Sequence, residues 1–93
     1  MKPIQPPLKR NQRGQRVLDL QDVLLLLNDE ARLRLTKKDR KALLADRKAS
    51  KFGEGTSRAV IAFREQFGLK AGKSVDERAA KALNQALDVT SVG

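Results

Sequence analysis

The sequence predicts a single all-α domain. Two stretches of the chain repeat apolar side chains three or four residues apart, which is the spacing that lines one face of a helix. Glycine, asparagine and hydroxyl residues flank these stretches, as is typical of helix ends. A chain of 93 residues has room for one domain with one modest core. We therefore expect a small helical bundle.

Residues 1–13 are predicted to form an irregular basic arm. All three prolines of the chain lie there, and the segment has no periodic apolar pattern. Leu8 is the side chain that we expect to dock on the body. Because the arm has no apolar face, we also expect removal of residues 1–10 to leave the fold intact.

The first helix is predicted from about Gln15 to Asn28. Gly14 precedes it, and asparagine tolerates the left-handed backbone of a helix end. The apolar stripe of this helix consists of Val17, Leu20, Val23, Leu24 and Leu27.

A basic helix is predicted next. Thr36 and Asp39 have the spacing of a capping box, and the helix should run to about Arg47 or Lys48. We expect Leu43 or Leu44 to pack against the first helix. The cations of this segment should form the most positive face of the protein: Lys37, Lys38, Arg40, Lys41, Arg47, Lys48 and Lys51.

A third helix lies within the stretch from Lys51 to Leu69, which holds all three phenylalanines. We expect the hydroxyl of Thr56 or Ser57 to accept a hydrogen bond from an amide of the first turn. Gly68 should end the helix, since glycine takes the left-handed position at no steric cost. Its apolar stripe is Val60, Phe63 and Phe67.

A last helix follows, capped by Ser74 or Asp76. Its apolar face is Ala79, Ala80, Leu83, Ala86 and Leu87, and residues 89–93 should form a flexible tail or linker. Together the helices predict a core of Val17, Leu20, Leu24, Val60, Phe63, Phe67, Leu83 and Leu87.

These helices resemble the motif of the small helical peptidoglycan-binding-like domains. The matching residues of the first helix are Gly14, Val17, Leu20, Gln21, Leu24 and Leu27. Those of the second half are Phe52, Gly53, Thr56, Ala59, Val60, Phe63, Gly68, Leu69, Gly72, Val75, Asp76 and Leu83. The resemblance implies a three-helix peptidoglycan-binding-like bundle over residues 14–88, with an extra helix inserted between the first and second core helices.

The chain differs from that motif at two places besides the inserted helix. Ala49 and Ser50 stand where the family turn has aspartate and glycine, so the usual turn oxygen and the freedom at positive φ are both missing. Gln21 and Arg64 occupy corresponding positions of a weak internal repeat, and the family usually has glutamine at both.

The formal net charge of +9 is unevenly distributed. Residues 1–16 carry five basic residues and no acidic one, and residues 36–52 carry seven basic and two acidic residues. Residues 17–35, by contrast, carry four acidic and two basic residues. The positive potential therefore comes from the arm and the inserted helix, which indicates an anionic partner.

The composition argues against an enzyme. The chain has no cysteine and no histidine, so it lacks a cysteine nucleophile, a thiolate metal site and the commonest general base. Its carboxylates lie on polar helix faces or at helix starts, where the helix dipole favours them. No loop repeats aspartate at the alternate positions of a calcium site. We expect no catalysis, no metal site and no cofactor.

The resemblance implies a non-catalytic module that recognises peptidoglycan or related cell-wall material and targets a larger protein to it. Exposed cations suit the carboxylates of stem peptides and other anionic wall polymers. The candidate ligand-binding residues are Arg13, Gln21, Lys51, Arg64, Lys41 and Lys48. The location implied is extracytoplasmic or in the cell wall, although the chain shows neither a signal peptide nor an apolar run long enough to span a membrane.

Two other functions stay open. One is a structural or protein-interaction domain, whose partner could be another domain of the same protein. The chain has no tryptophan or tyrosine on which a sugar would stack, which favours this alternative. The other is a basic nucleic-acid-binding domain. About eight residues separate the helix ending at Phe67 from the one beginning near Asp76, which is longer than a helix-turn-helix connection. Nucleic acid is therefore the less favoured partner.

Overall fold

Four helices form the protein in the computed structural model, which describes the backbone of residues 3–92 and the side chains of residues 3–87. They are α1 (Gln15–Asp29), α2 (Lys37–Ala49), α3 (Glu54–Gln66) and α4 (Glu77–Val92). Within the described residues there is no strand, and extended pairing is limited to two isolated bridges. The all-α prediction is confirmed, and α2 is the predicted basic helix.

The core contains residues from every helix and from the segments between them. Of the eight predicted core residues, seven are buried, and Phe67 is partly buried with its ring stacked on Phe63 at a centroid distance of 4.3 Å. Leu43 is buried as expected, whereas Leu44 is 44% exposed. The core also includes Ile4, Leu8, Leu33, Phe52 and Val75, which lie outside the helices.

The N-terminal segment is irregular but packed. Leu8 and Val75 form an antiparallel bridge through two backbone hydrogen bonds of 3.0 and 2.7 Å. Asn84 on α4 holds Ile4 by accepting from its backbone N–H at 2.7 Å and donating to its carbonyl at 3.2 Å. Ile4 and Leu8 are both buried. The docking of Leu8 is thus confirmed. The burial of Ile4 and Leu8 argues against the expectation that residues 1–10 are dispensable, because two apolar side chains can anchor a segment that has no periodic face.

Three helices end at a residue with a left-handed backbone, and only one of these residues is glycine. Gly68 (φ 72°) ends α3 as predicted, with Leu69 N–H donating to Arg64 O at 2.7 Å. Ala31 (φ 59°) follows α1, and Ser50 (φ 55°) follows α2. Ser50 therefore adopts a conformation that glycine takes freely, at the steric cost of a Cβ.

The caps of α2 and α4 agree with the sequence. Thr36 Oγ1 accepts from the backbone N–H of Asp39 at 3.0 Å, and Asp76 Oδ1 accepts from that of Ala79 at 2.9 Å. The cap expected for α3 was wrong. Thr56 lies inside the helix. The N-cap residue is Gly53, which has no side chain and therefore makes no side-chain capping hydrogen bond.

α2 packs most closely against α3, and Gly55 permits the approach. A Cβ at this position would lie 2.3 Å from the backbone carbon and oxygen of Ala42, well inside van der Waals contact. α2 is therefore joined to α3 by a contact between two backbones.

Candidate functional site

The carboxylates around α2 engage its arginines rather than its lysines. Two arginines of α2 and one arginine of α3 form ion pairs that join α2 to its neighbouring helices. The pairs are Arg40–Asp29 at 2.9 Å, Arg47–Asp22, and Arg58–Asp39 at 3.3 Å. The hydrogen bond to Asp22 and the charge of Asp22 raise the pKa of Arg47 above its ordinary value. These arginines are thus part of the fold, and their positive charges are locally compensated.

Lys37, Lys41 and Lys48 form a separate, exposed row on α2, here called the lysine face. At 100° per residue they lie within about 40° of one another around the helix, away from the buried Leu43, and they span about 16 Å along its axis. Within the described part of the chain none of the three forms an ion pair. Leu44, exposed at 44%, lies in the same row.

The structure places two further candidates, Arg13 and Lys51, directly opposite each other in an isolated antiparallel bridge. Phe52 N–H donates to Gln12 O at 2.9 Å beside them, so Arg13 and Lys51 form a pair of the non-hydrogen-bonded type. Side chains are closest in such pairs. Arg13 is exposed and Lys51 is half-buried.

Gln21 is fully buried and holds this region together from inside. Its Nε2 donates to Lys51 O and to Thr56 Oγ1, each at 3.0 Å. Its Oε1 has no hydrogen-bond partner among the described residues. Because Gln21 is 0% exposed, its contribution is to position the backbone of Lys51 and not to contact a ligand from outside.

Asp46, which the sequence did not single out, completes this polar cluster. Its Oδ2 accepts hydrogen bonds from Gly53 N–H at 3.0 Å, Thr56 N–H at 2.7 Å and Thr56 Oγ1 at 2.8 Å. The carboxylate thus supplies from α2 the oxygen that caps α3. Gly53 has no side chain with which to cap α3, which was a signal that another acceptor was needed, but spacing along the chain does not identify which one.

Arg64 is buried between α3 and the segment that leads to α4. Its Nε donates to Lys70 O at 2.7 Å and its Nη1 to Ser74 O at 3.1 Å, and the guanidinium pairs with Asp76 at 3.4 Å. Arg64 is 6% exposed and holds this loop in place, with Gly72 close to its guanidinium group.

The six candidate ligand-binding residues therefore form two groups. Gln21 and Arg64 are buried, and the four at or near the surface are Arg13, Lys41, Lys48 and Lys51.

The aromatic residues give little surface for sugar stacking. Phe52 and Phe63 are 0% and 1% exposed. Phe67 lines a groove of about 390 Å³ beside Leu69 and Ala82. Its ring already stacks on Phe63, so one face of a single phenylalanine is the aromatic surface that the described residues offer to a glycan.

Helices α2 and α3 are joined by four residues, a connection as short as that of a helix-turn-helix. The exposed positions of α3 do not suit a phosphate backbone, however. They include Glu54 and Glu65, and Arg58 is engaged with Asp39 and Glu54. The acidic surface of α3 therefore opposes its insertion into a DNA groove.

Other kinds of site find no support in the part of the chain that is described. No three acidic side chains are grouped closely enough there to hold a metal ion. None of the four helices, over those same residues, has the length and apolar character needed to cross a membrane.

Comparison of the chain with protein-family models, with curated proteins and with solved structures finds no match.

Proposed function

We propose that this chain is a non-catalytic module that binds peptidoglycan or an associated anionic wall polymer through the lysine face. The main support for the proposal is that the arginines and the lysines of α2 differ in their contacts. The arginines are paired with carboxylates of the fold, whereas Lys37, Lys41 and Lys48 are exposed without such partners. A row of uncompensated charges on a rigid helix raises the local concentration of polyanions.

The proposed arrangement is a peptidoglycan-binding-like bundle of α1, α3 and α4, with α2 inserted. Two motif residues in contact support it, since Gln21 of α1 donates to Thr56 of α3 inside the core. Most motif residues are buried, which suits a role in specifying the fold. Ligand contacts then come from the inserted helix, which the motif does not contain.

Sedimentation with purified peptidoglycan sacculi tests the proposal. The double variant K41E/K48E should lose most binding, because it reverses two of the three charges of the lysine face at exposed positions. Its melting temperature should stay near that of the parent, since surface substitutions usually change stability by less than about 0.5 kcal/mol. Binding of the parent should fall as salt rises.

The double variant K70E/K73E is the matched control. Both lysines are exposed and lie in the segment after α3, at the far end of that helix from Lys51. It should sediment with sacculi nearly as the parent does. If K41E/K48E binds as well as the control, the lysine face only solubilises the protein and the proposal fails.

A protein partner with an acidic and partly apolar surface is the second candidate. Leu44 favours it, because an exposed leucine within a basic row contributes nothing to a polyanion but can be buried by a protein. Leu44→Ser should leave sedimentation with sacculi unchanged under the first proposal. Loss of sacculus binding in this variant, with K41E/K48E still binding, would favour an apolar contact instead.

A further inference from the structure

The opposed cations Arg13 and Lys51 lie near the C-terminal end of the lysine face. Lys48 precedes Lys51 by three residues, and α2 ends between them at Ala49. Because consecutive Cα atoms are about 3.8 Å apart, the Cα atoms of Lys48 and Lys51 lie within about 11 Å of each other. A polymer lying along α2 from Lys37 toward Lys48 reaches the Arg13–Lys51 pair next.

Two like charges directly opposite each other across an antiparallel bridge repel and destabilise the pairing. No carboxylate among the described residues forms an ion pair with either Arg13 or Lys51. An anion placed between the two side chains would convert the repulsion into two attractions. An anionic ligand bound between Arg13 and Lys51 would therefore stabilise this pair of cations.

The backbone beneath this pair is rigidly held. Lys51 N–H donates to Asp46 O at 3.1 Å, and Lys51 O accepts from the buried Gln21 at 3.0 Å. Phe52 N–H donates to Gln12 O at 2.9 Å, which keeps Arg13 in register with Lys51. Because the register is held without ligand, binding does not need to order the backbone, which favours affinity.

The residue types point to phosphate. Lysine is a compact point charge that binds phosphate oxygens, and the planar fork of arginine binds phosphate as well as carboxylate, so the Arg13–Lys51 pair suits a phosphate group. This protein uses arginine for its own carboxylates, at Asp22 and Asp29, and leaves lysine for the exposed face. No aromatic side chain belongs to the lysine face or to the bridge, so bases have nothing on which to stack there.

We propose that Arg13 and Lys51 clamp one phosphate of a linear, base-free phosphodiester polymer whose neighbouring phosphates lie along the lysine face. This inference rests on the proposed function and names the class of wall polymer that the module binds. Gln21 is a positioning residue that holds the Lys51 backbone.

Binding of short linear inorganic polyphosphate, measured by titration calorimetry at several salt concentrations, tests the clamp. Arg13→Gln and Lys51→Gln should each weaken binding about five-fold. The double variant should lower the slope of log K against log salt by the amount expected for the loss of about one phosphate contact. The double variant should lose less than the product of the two single losses, because one phosphate contacts both residues. Lys51→Arg should retain most affinity.

Lys70→Gln is the matched control for removal of one positive charge, and it should leave affinity and salt slope close to those of the parent. An oligonucleotide with the same number of phosphates should bind no more tightly than polyphosphate. The clamp is overturned if Arg13→Gln and Lys51→Gln behave like Lys70→Gln, if their effects multiply, or if polyglutamate of equal charge binds more tightly than polyphosphate.

Sacculi stripped of their phosphate polymers separate this inference from the proposed function. The clamp predicts a large loss of sedimentation on stripping. Undiminished binding to stripped sacculi overturns the clamp and leaves the proposed function standing. Polyphosphate binding with the predicted variant effects, but no sedimentation with intact sacculi, supports the clamp and overturns the wall assignment.

Discussion

Asp46 shows how a side chain from one helix caps the start of the next helix. The turn before α3 offers Ala49 and Ser50, neither of which caps the helix. The carboxylate of Asp46 instead accepts two backbone amides and one hydroxyl. A single residue of α2 thus accepts the hydrogen bonds at the start of α3 and couples the two helices.

Asp46→Ala should lower the free energy of unfolding by about 2–3 kcal/mol, because it leaves several partly buried donors without an acceptor. Urea denaturation measures the change. Asp29→Ala, which breaks a more exposed ion pair with Arg40, is the control and should cost about 0.5 kcal/mol. Equal losses in the two variants would show that the Asp46 contacts contribute no more than a surface pair.

Asp76 makes the stability of the domain sensitive to acid. The hydrogen bond from the backbone of Ala79, with a further contribution from Arg64, holds the pKa of this carboxyl below its ordinary value of 3.8. A carboxylate with a lowered pKa in the folded state stabilises the fold above its ordinary pKa, and this contribution is lost as the pH falls through the folded-state pKa.

Asp76→Asn should therefore reduce the drop in melting temperature between about pH 5 and about pH 2, while changing it little at pH 7 because asparagine is also a good cap. The effect should be modest, since the carboxyl side chain is 56% exposed. Thermal unfolding followed by circular dichroism at several pH values measures it. An unchanged pH profile would contradict this role of the carboxylate.

At the scale of secondary structure, the contact between α2 and α3 decides where α2 lies. Gly55 faces the backbone of Ala42, and no side chain fits between the two helices at that point. The lysine face consequently has a fixed direction relative to the bridge between Arg13 and Lys51. The proposed binding surface depends on this packing as much as on its charges.

Gly55→Ala should destabilise the domain by at least about 2 kcal/mol, despite the better helix propensity of alanine, because its Cβ would lie 2.3 Å from Ala42 backbone atoms. Chemical denaturation measures the loss. Ser57→Ala is a control in the same helix: its buried Oγ has no partner among the described residues, so stability should be unchanged or slightly higher. A stable Gly55→Ala variant would show that α2 can move away from α3 at little cost.

At the scale of the whole molecule, the N-terminal segment belongs to the folded unit. It is held to Val75 and Asn84 by backbone and side-chain hydrogen bonds, and its two apolar side chains enter the common core. The first and last thirds of the chain are thereby joined, although neither sequence pattern nor periodicity connects them.

Removal of residues 1–10 should cost about 3–5 kcal/mol, from the exposure of core surface now covered by Ile4 and Leu8 and the loss of their hydrogen bonds. For a domain of this size that is a large part of the total stability. The midpoint of urea unfolding measures it, and Lys9→Ala, at an exposed position of the same segment, should leave it unchanged. A truncated chain as stable as the parent would restore the earlier interpretation of a dispensable arm.

Local patterns in the sequence determined the helices, the caps at Thr36 and Asp76, the stop at Gly68 and most of the core, because helix periodicity and capping involve residues a few positions apart. Only the tertiary structure decided the rest. It placed Gln21 and Arg64 inside, opposed Arg13 to Lys51, and gave Asp46 to the start of α3. These contacts join residues that are far apart in the chain or in different elements. Such contacts depend on how the helices pack, and residue spacing within one segment does not predict that packing.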